Sequence, residues 1–285
     1  MVRGRRPIRD FWLAGGLAAA VVLAGCAPGL PFGNKAPVEA HHAPHWTYEG
    51  EDGPQHWGEL GPDYDLCSAG KQQSPIDISP SRLLKADWLL PLEVRINPTK
   101  LNVVNNGHTI QVNYDKGSSF IFEKQGYTLK QFHFHSPSEH KIGGVAFDME
   151  THLVWSTPDS KLAVIGFMIT ASQENPFFAK FFHALPDKAN TTVTRELNIN
   201  VKEVLPETRD YFHYDGSLTT PPCAEGVKWI VLKTPVQASR DQISRFRAVV
   251  GDHNTNRPVQ QVNERLVKEA EPSTEAAQAP AAGGH

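Results

Sequence analysis

Short segments rich in β-branched and aromatic residues recur through most of this chain, and each is cut off by a turn signal. They read LEVRIN (92–97), NVVNNG (102–107), TIQVNYD (109–115), SSFIFEK (118–124), YTLKQFHFH (127–135), DMETHLVW (148–155), LAVIGFMIT (162–170) and KWIVLK (228–233). Residues of this kind fit a pleated, half-buried surface, and the NNG, DKG and EKQG steps between them reverse the chain. Helical periodicity is confined to residues 176–184 and 239–250, and no internal repeat is visible. The expectation is a mainly β protein with a few short helices.

The two ends read differently. Arg3, Arg5, Arg6 and Arg9 precede an apolar run from Phe11 to Leu23, which leads into L-A-G-C at 23–26. A basic start, a short apolar run and small residues before a cut site describe a secretory signal, and the run is too short to span a bilayer comfortably. Leu-Ala-Gly-Cys resembles a bacterial lipobox, which would make Cys26 the acylated first residue of the mature chain. Ala27 after the Cys, by resemblance to Gram-negative lipoproteins, favours the outer membrane. The expected organisation is a signal peptide over 1–25, a flexible Pro- and Ala-rich tether over 26–44, a folded domain over 45–267 and a disordered low-complexity tail over 268–285. Such a protein is exported to the periplasm or cell envelope and touches a membrane only through its N-terminal anchor.

The whole chain of 285 residues has a formal charge of −3. Removing a signal with four Arg and one Asp leaves the remainder more acidic still, without an electrostatic footprint for nucleic acid. Besides Cys26, the exported part holds Cys67 and Cys223. An even pair in an oxidising compartment is most simply one disulfide, worth roughly 5 kcal/mol in the chain-entropy model for so long a loop. The alternative, that they ligate a metal, lacks the usual C-x-x-C spacing.

The stretch QFHFH (131–135) poses the chemical question. On a strand, positions two apart share a face, so His133 and His135 stand side by side with Gln131 while Phe132 and Phe134 point the other way. Two imidazoles on one face make a poor core and a good start to a metal site. A catalytic zinc takes three protein ligands and keeps its fourth position open. In DMETHLVW, His152 can supply the third from a neighbouring antiparallel strand, with Glu150 and Val154 on its face. Gln131 and Glu150 each lie two residues before a candidate ligand, placed to hydrogen-bond its second ring nitrogen and fix the tautomer.

These stretches, with QSPIDI (73–78), NNGH (105–108), SEH (138–140) and YDGSLTTPPC (214–223), resemble the α-class carbonic anhydrases in order and spacing over nearly the whole expected domain. The resemblance implies one domain on a large, mostly antiparallel twisted central sheet with short peripheral helices. It implies Zn2+ held by His133, His135 and His152, and reversible hydration of carbon dioxide to bicarbonate and a proton by zinc-bound hydroxide. Thr219 matches the hydroxyl that accepts from that hydroxide, Glu139 the carboxylate to which the threonine donates, and His108 the proton shuttle. Val154, Val164, Leu218 and Trp229 match the apolar wall of the substrate pocket. Thr220, Asn106 and Gln111 match polar positions of the cavity, as does Tyr48, which otherwise reads as part of an aromatic cluster with Trp46 and Trp57. HNTNRP (253–258) matches loosely the segment whose backbone carbonyl orients one ligand. His140 and His253 read as structural or surface residues.

Two rival readings fit less well. H-x-H followed by x3-E also occurs in the first cupin motif, where Glu139 would be a metal ligand. A cupin's second motif, however, needs P-x-G before the last His and Asn four residues after it, and here Ser156 stands in that place. A catalytically dead binding module would have lost zinc ligands, and all three candidates are present.

Overall fold

A computed structural model of the chain describes residues 44–270. The expected signal peptide, Cys26, nearly all of the expected tether and residues 271–285 therefore lie outside the described residues. Among those described, thirteen strands form one sheet. Its main path runs Thr191–Ile199, Thr99–Asn105, Ile110–Asn113, Gln125–His135, Met149–Ser156, Leu162–Ala171, Glu225–Leu232, Tyr211–Ser217, Val267–Ala270 and Leu83–Ala86. A separate small pair joins Asp77–Ile78 to Lys141–Ile142.

Most neighbours are antiparallel, as short turns require, but the sheet is mixed. Leu162–Ala171 runs parallel to both Glu225–Leu232 and Val236–Ala238, and Val267–Ala270 runs parallel to Leu83–Ala86. Each parallel pair joins segments far apart in sequence, because parallel neighbours need a long crossover.

The last of these pairs also moves the domain boundary. Lys268, Glu269 and Ala270, expected in the tail, belong to a strand. Val267 and Ala270 are buried, and Glu269 takes ion pairs from Lys85 and from Lys233, the latter at 2.6 Å. The low-complexity composition of KEAEPSTEAAQ hid this short strand, which pairs on both sides.

The alternation in QFHFH sorts side chains as the period of two demands. Phe132 and Phe134 are fully buried in the larger hydrophobic cluster. The Phe134 ring meets those of Phe178, Phe182 and Phe246 at 5.7, 5.3 and 5.9 Å. Each such Phe contributes about 1.5–3 kcal/mol by leaving water. Phe246 comes from the helix Arg240–Val250, which starts on a capping box: Ser239 Oγ accepts from Gln242 N, and Gln242 Oε1 accepts from Ser239 N. It ends at Gly251 with φ +97°, the left-handed geometry that favours glycine. With that face filled by aromatics, the histidines are left on the other.

Candidate active site

Register brings the three histidines together. His133 lies directly opposite His152 across the antiparallel pair, and His135 lies opposite Glu150. One nitrogen of each histidine falls within 4.8 Å of the others. The remaining nitrogens are all committed. His133 Nδ1 donates to Gln131 Oε1 at 2.9 Å, His135 Nδ1 to the Thr255 carbonyl at 2.5 Å, and His152 Nε2 to Glu150 Oε1 at 2.8 Å. Each ring is thus fixed as the tautomer whose lone pair is free, on Nε2 for the first two and on Nδ1 for His152.

Burial and electrostatics favour the neutral ligand form. Burial, then the neighbouring His135 and His152, pushes the His133 imidazole well below its ordinary range, and burial also lowers His135. His135 Nε2 is buried without a hydrogen-bond partner. A lone pair stranded in this way carries a desolvation cost that a metal ion would relieve, so the donor set fits zinc.

A family model described as eukaryotic-type carbonic anhydrase matches residues 52–271. The chain belongs to the eukaryotic-type carbonic anhydrase family. It is 41% identical over 223 residues to a carbonic anhydrase of Pectobacterium carotovorum, covering 78% of this chain and 90% of that one. It is 42% identical over 228 residues to one from Nostoc sp., covering 79% and 86%. Among solved structures, the α-carbonic anhydrase of Thermovibrio ammonificans in complex with the inhibitor sulfanilamide shares 43% identity at a TM-score of 0.77, over 80% of this chain and all of that one.

The carbonic anhydrase site is organised around Glu150 more than its spacing suggested. Besides His152, its Oε1 accepts from His140 Nδ1 at 2.7 Å, and its Oε2 accepts from the backbone amides of Glu139 and His140 at 2.9 and 2.8 Å. Burial alone would raise this carboxyl, but the charges and ring donors of His140 and His152 hold it well below the usual range. His140 belongs to this network and not to the surface: it is fully buried, and its Nε2 sits 2.6 Å from the Tyr214 hydroxyl. The close group His140, Glu150 and His152 is accordingly a hydrogen-bonded chain. Gly166 makes room for it, since a Cβ there would come within 3.1 Å of Glu150 Oε1.

Glu139 is fully buried beside the three histidines. Its Oε1 accepts from the Arg257 amide at 2.8 Å, while Oε2 has no hydrogen-bond partner and lies 3.6 Å from His135 Nε2 and 3.9 Å from His152 Nδ1. Thr219 is buried, and no hydrogen bond joins it to that free oxygen. Residues 255–257 therefore hold both His135 and Glu139, Thr255 by its carbonyl and Arg257 by its amide. The Arg257 guanidinium is buried and donates to the carbonyls of Cys67 and Ser74 and to Gln73 Oε1. Burial lowers it to about 10. Cys67 in turn is disulfide-bonded to Cys223, three residues beyond Thr220.

A cavity of about 140 Å³ opens onto His133 and His135, and Tyr48, Asn106, His108, Gln111 and Thr220 line it as well. Val164 and Trp229 lie in a separate apolar cluster against which Val154 and Leu218 pack, and the Trp229 ring stands 4.8 Å from His152. His108 is stacked on Trp46, with ring centroids 3.7 Å apart and planes 9° from parallel. Burial, then His45 and His253, lowers its imidazole below the ordinary value.

Proposed function

We infer that this family member hydrates carbon dioxide reversibly, with zinc held by His133, His135 and His152. The observation that carries the reading is the convergence of three free imidazole nitrogens whose opposite nitrogens are each spent on a hydrogen bond. Zinc, when bound, acidifies a water and so supplies a hydroxide nucleophile near neutral pH. The chain's own residues do the rest. Glu139, pinned on Oε1 by the Arg257 amide, offers Oε2 as an acceptor for the Thr219 hydroxyl. A threonine that donates to Glu139 can only accept from the nucleophile, which orients it for attack. Val154, Val164, Leu218 and Trp229 shape the apolar wall on which an uncharged gas rests. His108 carries the released proton outward, since it lines the cavity onto which His133 and His135 open and an imidazole can both accept and release a proton.

The disulfide and the bacterial relatives agree with export, and we extend this to anchoring of the mature chain through acylated Cys26 at the cell envelope. Variants test the roles. His135→Ala should lose zinc and hydration together, whereas Glu139→Gln and Thr219→Ala should keep zinc and hydrate slowly. Zinc loss in Glu139→Gln as complete as in His135→Ala would make Glu139 a ligand and overturn the assignment.

A further inference from the structure

Two asparagines and a glycine lead into His108, and the two asparagines do different work. Asn105 closes the strand Thr99–Asn105 opposite Ile110, where the next strand starts, so residues 106–109 form a four-residue turn that carries His108. Every amide of that turn finds a local acceptor. Asn106 N donates to the Thr109 carbonyl at 3.2 Å, and the amides of His108 and Thr109 donate to Asn106 Oδ1 at 3.0 and 2.9 Å. Gly107, at φ +87°, donates its amide to Asn105 Oδ1 at 3.0 Å. A turn whose amides are all spent in this way holds the His108 backbone in place.

Asn106 shapes the turn, whereas Asn105 places it. The Asn105 side chain is buried, and its Nδ2 donates to the carbonyls of Pro186 and Val249 at 3.0 and 3.1 Å. The opposite amide orientation would set oxygen against two carbonyls and NH2 against the Gly107 amide, so the partners fix which way it points. The Val249 carbonyl is among the last four of the helix Arg240–Val250, which have no acceptor role inside a helix. The chain leaving this helix end supplies the Thr255 carbonyl that holds His135. At the other end of the turn, the Thr109 hydroxyl donates to the carbonyl of Phe134, which stands between His133 and His135. The turn is thus fastened on both sides to the frame that sets the three histidines. With its ring stacked on Trp46, His108 keeps a defined distance from them. Such distances matter, since a displacement of about 1 Å between reacting groups costs up to about 100-fold in rate.

We propose that Asn105 is a positioning residue for proton export, which fixes through its turn the distance between His108 and the three histidines. This rests on the reading of His108 as the proton carrier, and steady-state hydration in dilute buffer separates the two. Asn105→Ala should lower kcat about threefold or more while kcat/KM stays near native, so that KM falls with kcat. Asn105→Asp, which keeps the acceptor for the Gly107 amide and deletes both donors, should do the same. In a His108→Ala background neither substitution should lower kcat further. In the zinc-free protein, the ring-proton NMR signals of His108, shielded by the stacked Trp46, should move downfield in Asn105→Ala. Native kcat in both Asn105 variants would overturn the proposal, as would unmoved His108 signals or a loss of equal size with and without His108. Equal falls in kcat and kcat/KM in both variants, the mark of lost folded protein, would make Asn105 a purely structural residue and overturn it too. Native kcat in His108→Ala alone would overturn the reading of His108 itself, and this proposal with it.

Discussion

Replacing Glu150 with Gln changes one oxygen to an amide nitrogen at the most heavily shared acceptor of the site. Both oxygens of the native carboxylate face two N–H donors each, the ring nitrogens of His140 and His152 on one side and the amides of Glu139 and His140 on the other. Whichever way the Gln amide turns, its NH2 confronts two buried donors. If it faces the backbone, two amides lose their acceptor, at about 1–3 kcal/mol each, or roughly 2–6 kcal/mol in all. If it faces the rings, His152 must take the opposite tautomer, which places its proton on Nδ1, the nitrogen that zinc would need. Mutations of such partners of metal ligands typically weaken metal binding by about 10–100-fold, equivalent to about 1.4–2.7 kcal/mol. Urea unfolding of the apo-protein and zinc affinity by competition with a chelator measure the two costs separately. Gln131→Leu, which deletes one hydrogen bond at a half-buried position, should cost less on both counts. Native stability and native zinc affinity in Glu150→Gln would refute the reasoning.

Two further perturbations follow. Replacing Cys67 and Cys223 with Ser opens a loop of 156 positions, so urea unfolding should show a loss of up to roughly 5 kcal/mol; an unchanged midpoint would mean that the bond adds no stability. His108→Ala should lower kcat in dilute buffer, leave kcat/KM nearly unaltered and respond to added imidazole. Steady-state hydration across a buffer series checks this, and an unaltered kcat would take His108 out of proton transfer.

The period of two made much of this protein legible. It divides QFHFH into a phenylalanine face and a histidine face, and sets Gln131 and Glu150 beside His133 and His152, to which they hydrogen-bond, because strand alternation is local and rigid. The helix Arg240–Val250 was readable from helical periodicity instead, and the aromatic cluster of Trp46, Tyr48 and Trp57 from its closeness in sequence. What escaped reading depends on contacts distant in sequence. His140 looks like the solvent-side neighbour of Glu139 until Tyr214 and Glu150 close around it. Arg257 was readable only as part of HNTNRP, because the three acceptors of its guanidinium lie more than 180 positions away. The parallel strand pairs and the strand at Val267–Ala270 are hidden likewise, since no short-range pattern announces a partner reached by a long crossover.

Zinc content and the initial rate of carbon dioxide hydration, measured together on one purified sample, bear on the central claim most directly. Zinc should be present at one per chain, and the rate should fall in proportion as a chelator removes it and return as it is restored. Rapid hydration by the zinc-free protein, or one zinc per chain with no hydration, would contradict the account.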